Sequence, residues 1–127
     1  MTACPAATTG VCRREMNLYR RYFDLVAGGR KTIEVRVRCP SLRKLAAGDH
    51  IRFVCGRDDA HTIVKRVTRY RSFEDLLDGE SPEKVDPDSP RDQQLANIRR
   101  IYGPEKESLG VLAIEIELLR PATSLNT

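Results

Sequence analysis

The chain has 127 residues, enough for one domain with a single modest core. Hydrophobic residues at 40% and charged residues at 31% exclude wholesale disorder, and no apolar run approaches the ~20 residues of a membrane span. The net charge of +4 conceals a division: residues 1–71 carry 16 Lys and Arg against 6 acids, whereas residues 72–127 carry 6 against 12. A basic first half and a pI near 9.0 favour a polyanionic partner, of which RNA is the commonest; arginine serving only as a solubiliser is the alternative.

Residues 1–15 are rich in small residues, show no period and lack the continuous apolar core of a secretory signal. They are expected to form a flexible leader on a cytoplasmic protein. Asn17 is a good N-cap for a helix running to about Ala27, with Leu18, Tyr22, Leu25 and Val26 facing the core. Gly28-Gly29 closes it, because glycine accepts the left-handed backbone of a C-cap. A strand then begins at once. Ile33, Val35 and Val37 alternate with Thr32, Glu34, Arg36 and Arg38, which sets a carboxylate among cations on the open face, with Lys31 at the strand's mouth.

Cys39-Pro40 breaks that strand, and Gly48-Asp49 turns into a second one over His50–Cys55. Gly56 to Asp59 reads as a hairpin loop, followed by a strongly basic strand, His61–Tyr70, carrying Lys65, Arg66 and Arg69. Ser72 caps a short helix. Gly79 to Asp88, with Pro82 and Pro87 among acids, reads as a loop or lid. Ser89-Pro90 starts a further helix with Leu95, Ile98, Ile101 and Tyr102 on one face, ended by Gly103-Pro104. The last strand alternates Leu112, Ile114, Ile116 and Leu118 against Ala113, Glu115 and Glu117. Residues 121–127 form a tail. This order predicts an α+β fold: a small mixed β-barrel with two to three flanking helices.

Helix, Gly-x-Lys-x-x-Glu-x-Arg strand and Gly-Asp before a strand form a recognisable set: Gly29, Lys31, Glu34 and Arg36, then Gly48-Asp49 with Ile51 and Phe53. Ile101-Tyr102 before the Ala113-Ile114-Glu115 strand completes it. Over residues 16–120 this pattern resembles the ASCH family (activating-signal-cointegrator homology), whose fold is related to the PUA RNA-binding barrel. The resemblance implies a cleft between barrel and helices, lined by the motif and suited to RNA or a nucleoside or nucleotide derivative. The family includes RNA-binding modules, a metal-assisted ribonuclease, and amidohydrolases that remove an acetyl group from the exocyclic amine of cytidine. In the amidohydrolases the lysine at the Lys31 position is the proposed nucleophile, helped by a threonine three residues on and a later glutamate. Here the threonine position is Glu34, and Asp86 or Asp88 falls nearest the later acid.

Catalytic candidates are therefore Lys31, Glu34 and Asp88; ligand-binding candidates are Arg30, Arg36, Arg38, Arg69 and Tyr102. A nucleophilic lysine requires its pKa to drop by roughly three units from ~10.4. Burial and the neighbouring arginines push it down while Glu34 pushes it up. A charged Lys31 would instead serve as a phosphate ligand or oxyanion stabiliser, and Glu34 as a general base. A structural ion-pair lattice is the alternative for all three motif residues. Tyr102 is a base-stacking candidate, with core packing as its alternative. Four cysteines without a C-x-x-C pair and two histidines make no zinc site, so no metal is assigned; a ribonuclease would call for a divalent metal. A protein partner using the acidic Glu74–Asp88 stretch is the third reading.

Overall fold

The computed structural model describes the backbone of residues 13–120 and the side chains of residues 14–119. Five strands form one mixed sheet in the order β1-β3-β4-β5-β2: β1 (Arg13–Asn17), β2 (Ile33–Val37), β3 (His50–Cys55), β4 (Asp58–Tyr70) and β5 (Val111–Arg120). β1 runs parallel to β3, and the remaining pairs are antiparallel. The sheet curls into a half-barrel, so that its two edge strands, β1 and β2, approach one another. A side chain rather than a ladder bridges them: Arg36 Nη2 donates to the Asn17 carbonyl at 3.0 Å.

β5 is the wall common to two cores. Leu112, Ile114 and Ile116 face the concave core with Ile51, Phe53 and Val64, capped by Phe23 and Val26 of helix α1 (Arg20–Ala27). Val111 and Ala113 face a second core with Ile33, Val35 and Val37 of β2. That side is covered by α2 (Phe73–Gly79), the single-turn α3 (Pro82–Val85) and α4 (Arg91–Ile101). A strand buried on both faces needs apolar residues at consecutive positions. Hence the expected alternation of β5 gives way over Val111–Ile114, all four of which are buried. Another one-turn helix, α5 (Pro104–Glu107), precedes β5. No helix among the described residues is long and apolar enough to cross a membrane.

Several boundaries differ from the sequence reading. Arg13–Glu15 belong to β1 rather than to a leader; residues 1–12 and 121–127 lie outside the described residues. Asn17 is not a helix cap. It pairs with Val54 in the β1–β3 ladder, and Tyr19 takes the N-cap position without a capping side chain. The long strand begins at Asp58, leaving only a tight turn at Gly56-Arg57. Ser72 does cap α2, accepting from the Asp75 amide at 3.0 Å.

The expected loop or lid at Gly79 to Asp88 contains α3 and is pinned from both sides. The Thr32 amide donates to the Lys84 carbonyl at 2.9 Å, and Gln94 Nε2 donates to the carbonyls of Pro82, Asp86 and Ser89 at 2.8–2.9 Å. Three of its four acids are engaged inside the chain: Glu80 with Arg66, Asp86 with Arg21 and Asp88 with Arg30.

Arg66 ties β4 to the end of α2 and to β5. It donates to both Glu80 oxygens at 2.9–3.0 Å and to Glu115 Oε1 at 2.9 Å, while Tyr70 Oη donates to Glu80 Oε2 at 2.7 Å. Its basic side chain is therefore spent on the fold, unlike the neighbouring exposed Lys65 and Arg69. We expect Arg66→Met to lower stability by about 1–2 kcal/mol, because the half-exposed guanidinium is partly screened by solvent. The measurement is the urea midpoint, and an unchanged midpoint would show that the clamp carries no stability.

Candidate functional site

The seam between β1 and β2 opens into a cleft of about 360 Å³, roofed by α1, α3 and α4. Its position follows from local backbone rules. Gly29 takes φ +77°, and the amides of Arg30 and Lys31 both donate to the Leu25 carbonyl at 2.9–3.0 Å, so the chain reverses sharply after α1. That turn carries Lys31 inward just before β2 starts. Two residues apart on β2, Glu34 and Arg36 then project to the same side as Lys31.

Lys31 and Glu34 are both buried, at 4% and 5% exposure, which takes two charges out of water. Lys31 Nζ donates to the carbonyls of Ile33 at 2.8 Å and Val85 at 3.0 Å, and lies 3.4 Å from Glu34 Oε1. Arg36 Nε donates to Glu34 Oε2 at 2.6 Å. Burial pushes the Lys31 ammonium below its ordinary value, and Glu34 offsets part of that shift. Burial would raise Glu34, but Lys31 and Arg36 outweigh it and hold the carboxyl below its ordinary 4.5. An ammonium has three N–H donors, and here three acceptors surround it. A neutral amine would turn its lone pair toward one of those oxygens. The charged form is therefore the one the surroundings fit.

Around this charged floor the walls are apolar: Leu18 and Tyr22 from the α1 side, Val85, Ile98 and Tyr102 from the other. Tyr22 also places its ring 5.7 Å from Lys31 Nζ, a cation–π distance. Tyr102 stacks on Phe73 with ring centroids 5.7 Å apart, and burial raises its hydroxyl pKa. The exposed Tyr19 and Ile101, at 67% and 45%, belong to the same lining. Asp86 and Gln94 complete the cleft. Asp86 Oδ2 accepts from Arg21 at 2.6 Å and its Oδ1 from the Asp88 amide at 3.1 Å.

Of the residues singled out from the sequence, Lys31, Glu34, Arg36 and Tyr102 are brought together in this lining. Asp88 is not: it sits at the surface in a 2.7 Å ion pair with Arg30, and Asp86 is the acid that reaches the cleft. The same pair takes Arg30 away from the site. Arg38 follows the last residue of β2 and lies over Gly110, while Arg69 is exposed on β4 opposite Leu112. Four polar or aromatic residues of the lining, Asn17, Tyr19, Tyr22 and Gln94, escaped the sequence reading as site residues. Gln94 precedes Ile98 and Ile101 at helical spacing, a stripe in which its polarity concealed its burial. Tyr22 had the pattern of a core residue and Asn17 that of a cap. Among the described residues no group of three or more His, Cys, Asp or Glu could hold a metal ion.

The buried pair sets a pH dependence. Glu34, Glu80 and Glu107 are all held below 4.5, so the folded chain binds fewer protons than the unfolded chain in that range. Their stabilising contribution is whole above pH 4.5 and disappears as pH falls through the folded values. Glu34→Gln leaves Lys31 without a counter-charge and is expected to cost about 3 kcal/mol at pH 7. It should also flatten the acid limb of a stability-versus-pH curve. A variant as stable as the parent with the same acid limb would contradict this picture.

A family model described as the ASCH domain matches residues 16–120. The fold is similar to the crystal structure of the hypothetical protein PH0355, at TM-score 0.77 and 34% identity over 84% of this chain and 99% of that one. It is also similar to the solution structure of protein PF0455 from Pyrococcus furiosus, at 0.70 and 35% over 84% and 97%. A more distant likeness is to the crystal structure of ASCH from Zymomonas mobilis, at 0.62 and 15% over 84% of this chain and 68% of that one, which speaks to fold alone. No curated protein matches the chain. The half-barrel with its flanking helices is an ASCH and PUA-like fold, and the chain belongs to the ASCH family.

Proposed function

We propose that this protein is an RNA- or nucleotide-binding module whose ligand enters the seam cleft. The observation that carries this reading is how Lys31 is held: two hydrogen bonds to backbone carbonyls and a 3.4 Å ion pair with Glu34. A lysine so held neither attacks a carbonyl nor releases its grip for a passing phosphate; it fixes Glu34 and, through it, Arg36. What remains is a preformed, apolar-walled cleft within the ~300–1,000 Å³ range of small-ligand sites. The ASCH family's association with RNA points the same way. Outside the cleft, the exposed Lys65 and Arg69 make no ion pair among the described residues and would meet phosphates along the strand.

The second reading is a hydrolase in the same cleft, acting on RNA phosphodiesters or on acetylated cytidine. It is favoured only by the position of Lys31 and Glu34 in the motif, and Glu34 is the group that keeps Lys31 charged. Binding through the acidic Glu74–Asp88 stretch is supported less, because most of those carboxylates are paired within the chain.

Fluorescence anisotropy with a short labelled single-stranded RNA tests the proposal. Affinity should fall linearly on a log–log plot against salt. Tyr19→Ala should weaken binding about tenfold without changing thermal stability, since the ring is exposed and a base–aromatic stack is worth ~1–3 kcal/mol. Incubation with labelled RNA and with acetylated cytidine, with and without divalent cation, should yield no product. Turnover abolished by Lys31→Ala in a folded protein would overturn the binding-module reading in favour of the hydrolase.

A further inference from the structure

Resting on that binding reading, we infer that the cleft takes its ligand base-first, with Gln94 Oε1 accepting a hydrogen bond from an N–H on the Watson–Crick edge of a nucleobase while the phosphate stays outside. Gln94 is 2% exposed and lines the cleft. Its amide orientation is forced. Nε2 lies 2.8–2.9 Å from three carbonyl oxygens, those of Pro82, Asp86 and Ser89; reversing the amide would set oxygen against all three. Oε1 is then a buried acceptor without a partner on a residue that lines the cleft; the other unpartnered buried side-chain atom among the described residues, Arg14 Nε, is a donor on a residue outside the lining. Buried acceptors are rarely left so, because an unmet carbonyl costs the folded state its hydration.

The other polar groups of the floor decide what can meet it. Lys31 gives two donors to carbonyls and lies 3.4 Å from Glu34, and Arg36 uses Nε on Glu34 and Nη2 on Asn17, which leaves Nη1 as the one guanidinium nitrogen without a hydrogen-bond partner among the described residues. Glu34 and Asp86 are carboxylates held by cations. A phosphate brings only acceptors: placed against Gln94 it would face that oxygen and the carboxylates of Glu34 and Asp86, and the free Arg36 Nη1 would hold it at the seam instead. A base edge brings N–H donors on a flat apolar body, which the walls of Tyr22, Ile98 and Tyr102 fit. A site with an unpaired buried acceptor rejects a ligand that lacks the matching donor far more strongly than it rejects a missing methyl group.

The test varies the ligand, so no variant need fold. Heteronuclear NMR titrations of the full chain would use uridine, 3-methyluridine and 5-methyluridine, then cytidine, N4,N4-dimethylcytidine and 5-methylcytidine, and ribose 5-phosphate. The 5-methyl compounds add bulk while keeping every N–H. For the base that fits, the parent and its 5-methyl form should shift the Gln94 side-chain amide resonances, and blocking the N–H should weaken binding at least tenfold. Ribose 5-phosphate should leave those resonances unmoved. Equal affinities for the parent and N–H-blocked compounds, with cleft resonances shifting, would overturn the base-first assignment while the binding reading stands. Ribose 5-phosphate shifting Gln94 would do the same. If no nucleoside perturbs any cleft residue, this assignment and the binding proposal fall together.

Discussion

The constraint on which the molecule depends is the burial of an ammonium beside a carboxylate at the mouth of β2. Removing either charge strands the other in a poorly solvating interior, so Lys31 and Glu34 stand or fall as a pair. Apolar residues of similar size would pack at least as stably in many such sites. What the charges supply here is position. Lys31 reaches the Val85 carbonyl and so anchors α3 to the strand, while Glu34 orients Arg36, whose Nη2 spans the open seam to Asn17.

This arrangement explains why the half-barrel stays open where it does. A ladder between β1 and β2 would close the sheet and fill the seam with backbone hydrogen bonds. A side-chain bridge closes it at one point only, and the space beside that bridge becomes the cleft. Helices on the outer face then supply walls: α4 brings Ile98 and Gln94, and the segment after α2 folds under it because Gln94 gathers three of its carbonyls. The cleft is thus assembled from residues scattered between Asn17 and Tyr102, with the charged triad as its common fixed point.

Much of this was legible before any coordinates. Glycine pairs and alternating residues mark β2, and strand spacing puts Glu34 and Arg36 on one face, while the glycine turn just before the strand sets Lys31 at its mouth. The resemblance to the ASCH family carried the fold. What could not be read were pairings across long sequence separations. Nothing local says that Arg66 belongs to Glu80 and Glu115 while Lys65 beside it is exposed, or that Arg30 joins Asp88 and Arg21 joins Asp86. The stretch at Gly79 to Asp88 looked like a loop because its order comes from Gln94 and Thr32, outside it. Asp88 and Asp86 differ by two positions and are chemically alike; only the turn of α3 decides which is buried.

The charge state of Lys31 bears most directly on this account. A ¹⁵N spectrum of its side chain at neutral pH should show an ammonium whose protons exchange slowly, as its burial, two carbonyl hydrogen bonds and the ion pair with Glu34 require. A neutral amine, or an ammonium whose protons exchange as fast as those of surface lysines, would contradict the buried cluster and the cleft built on it.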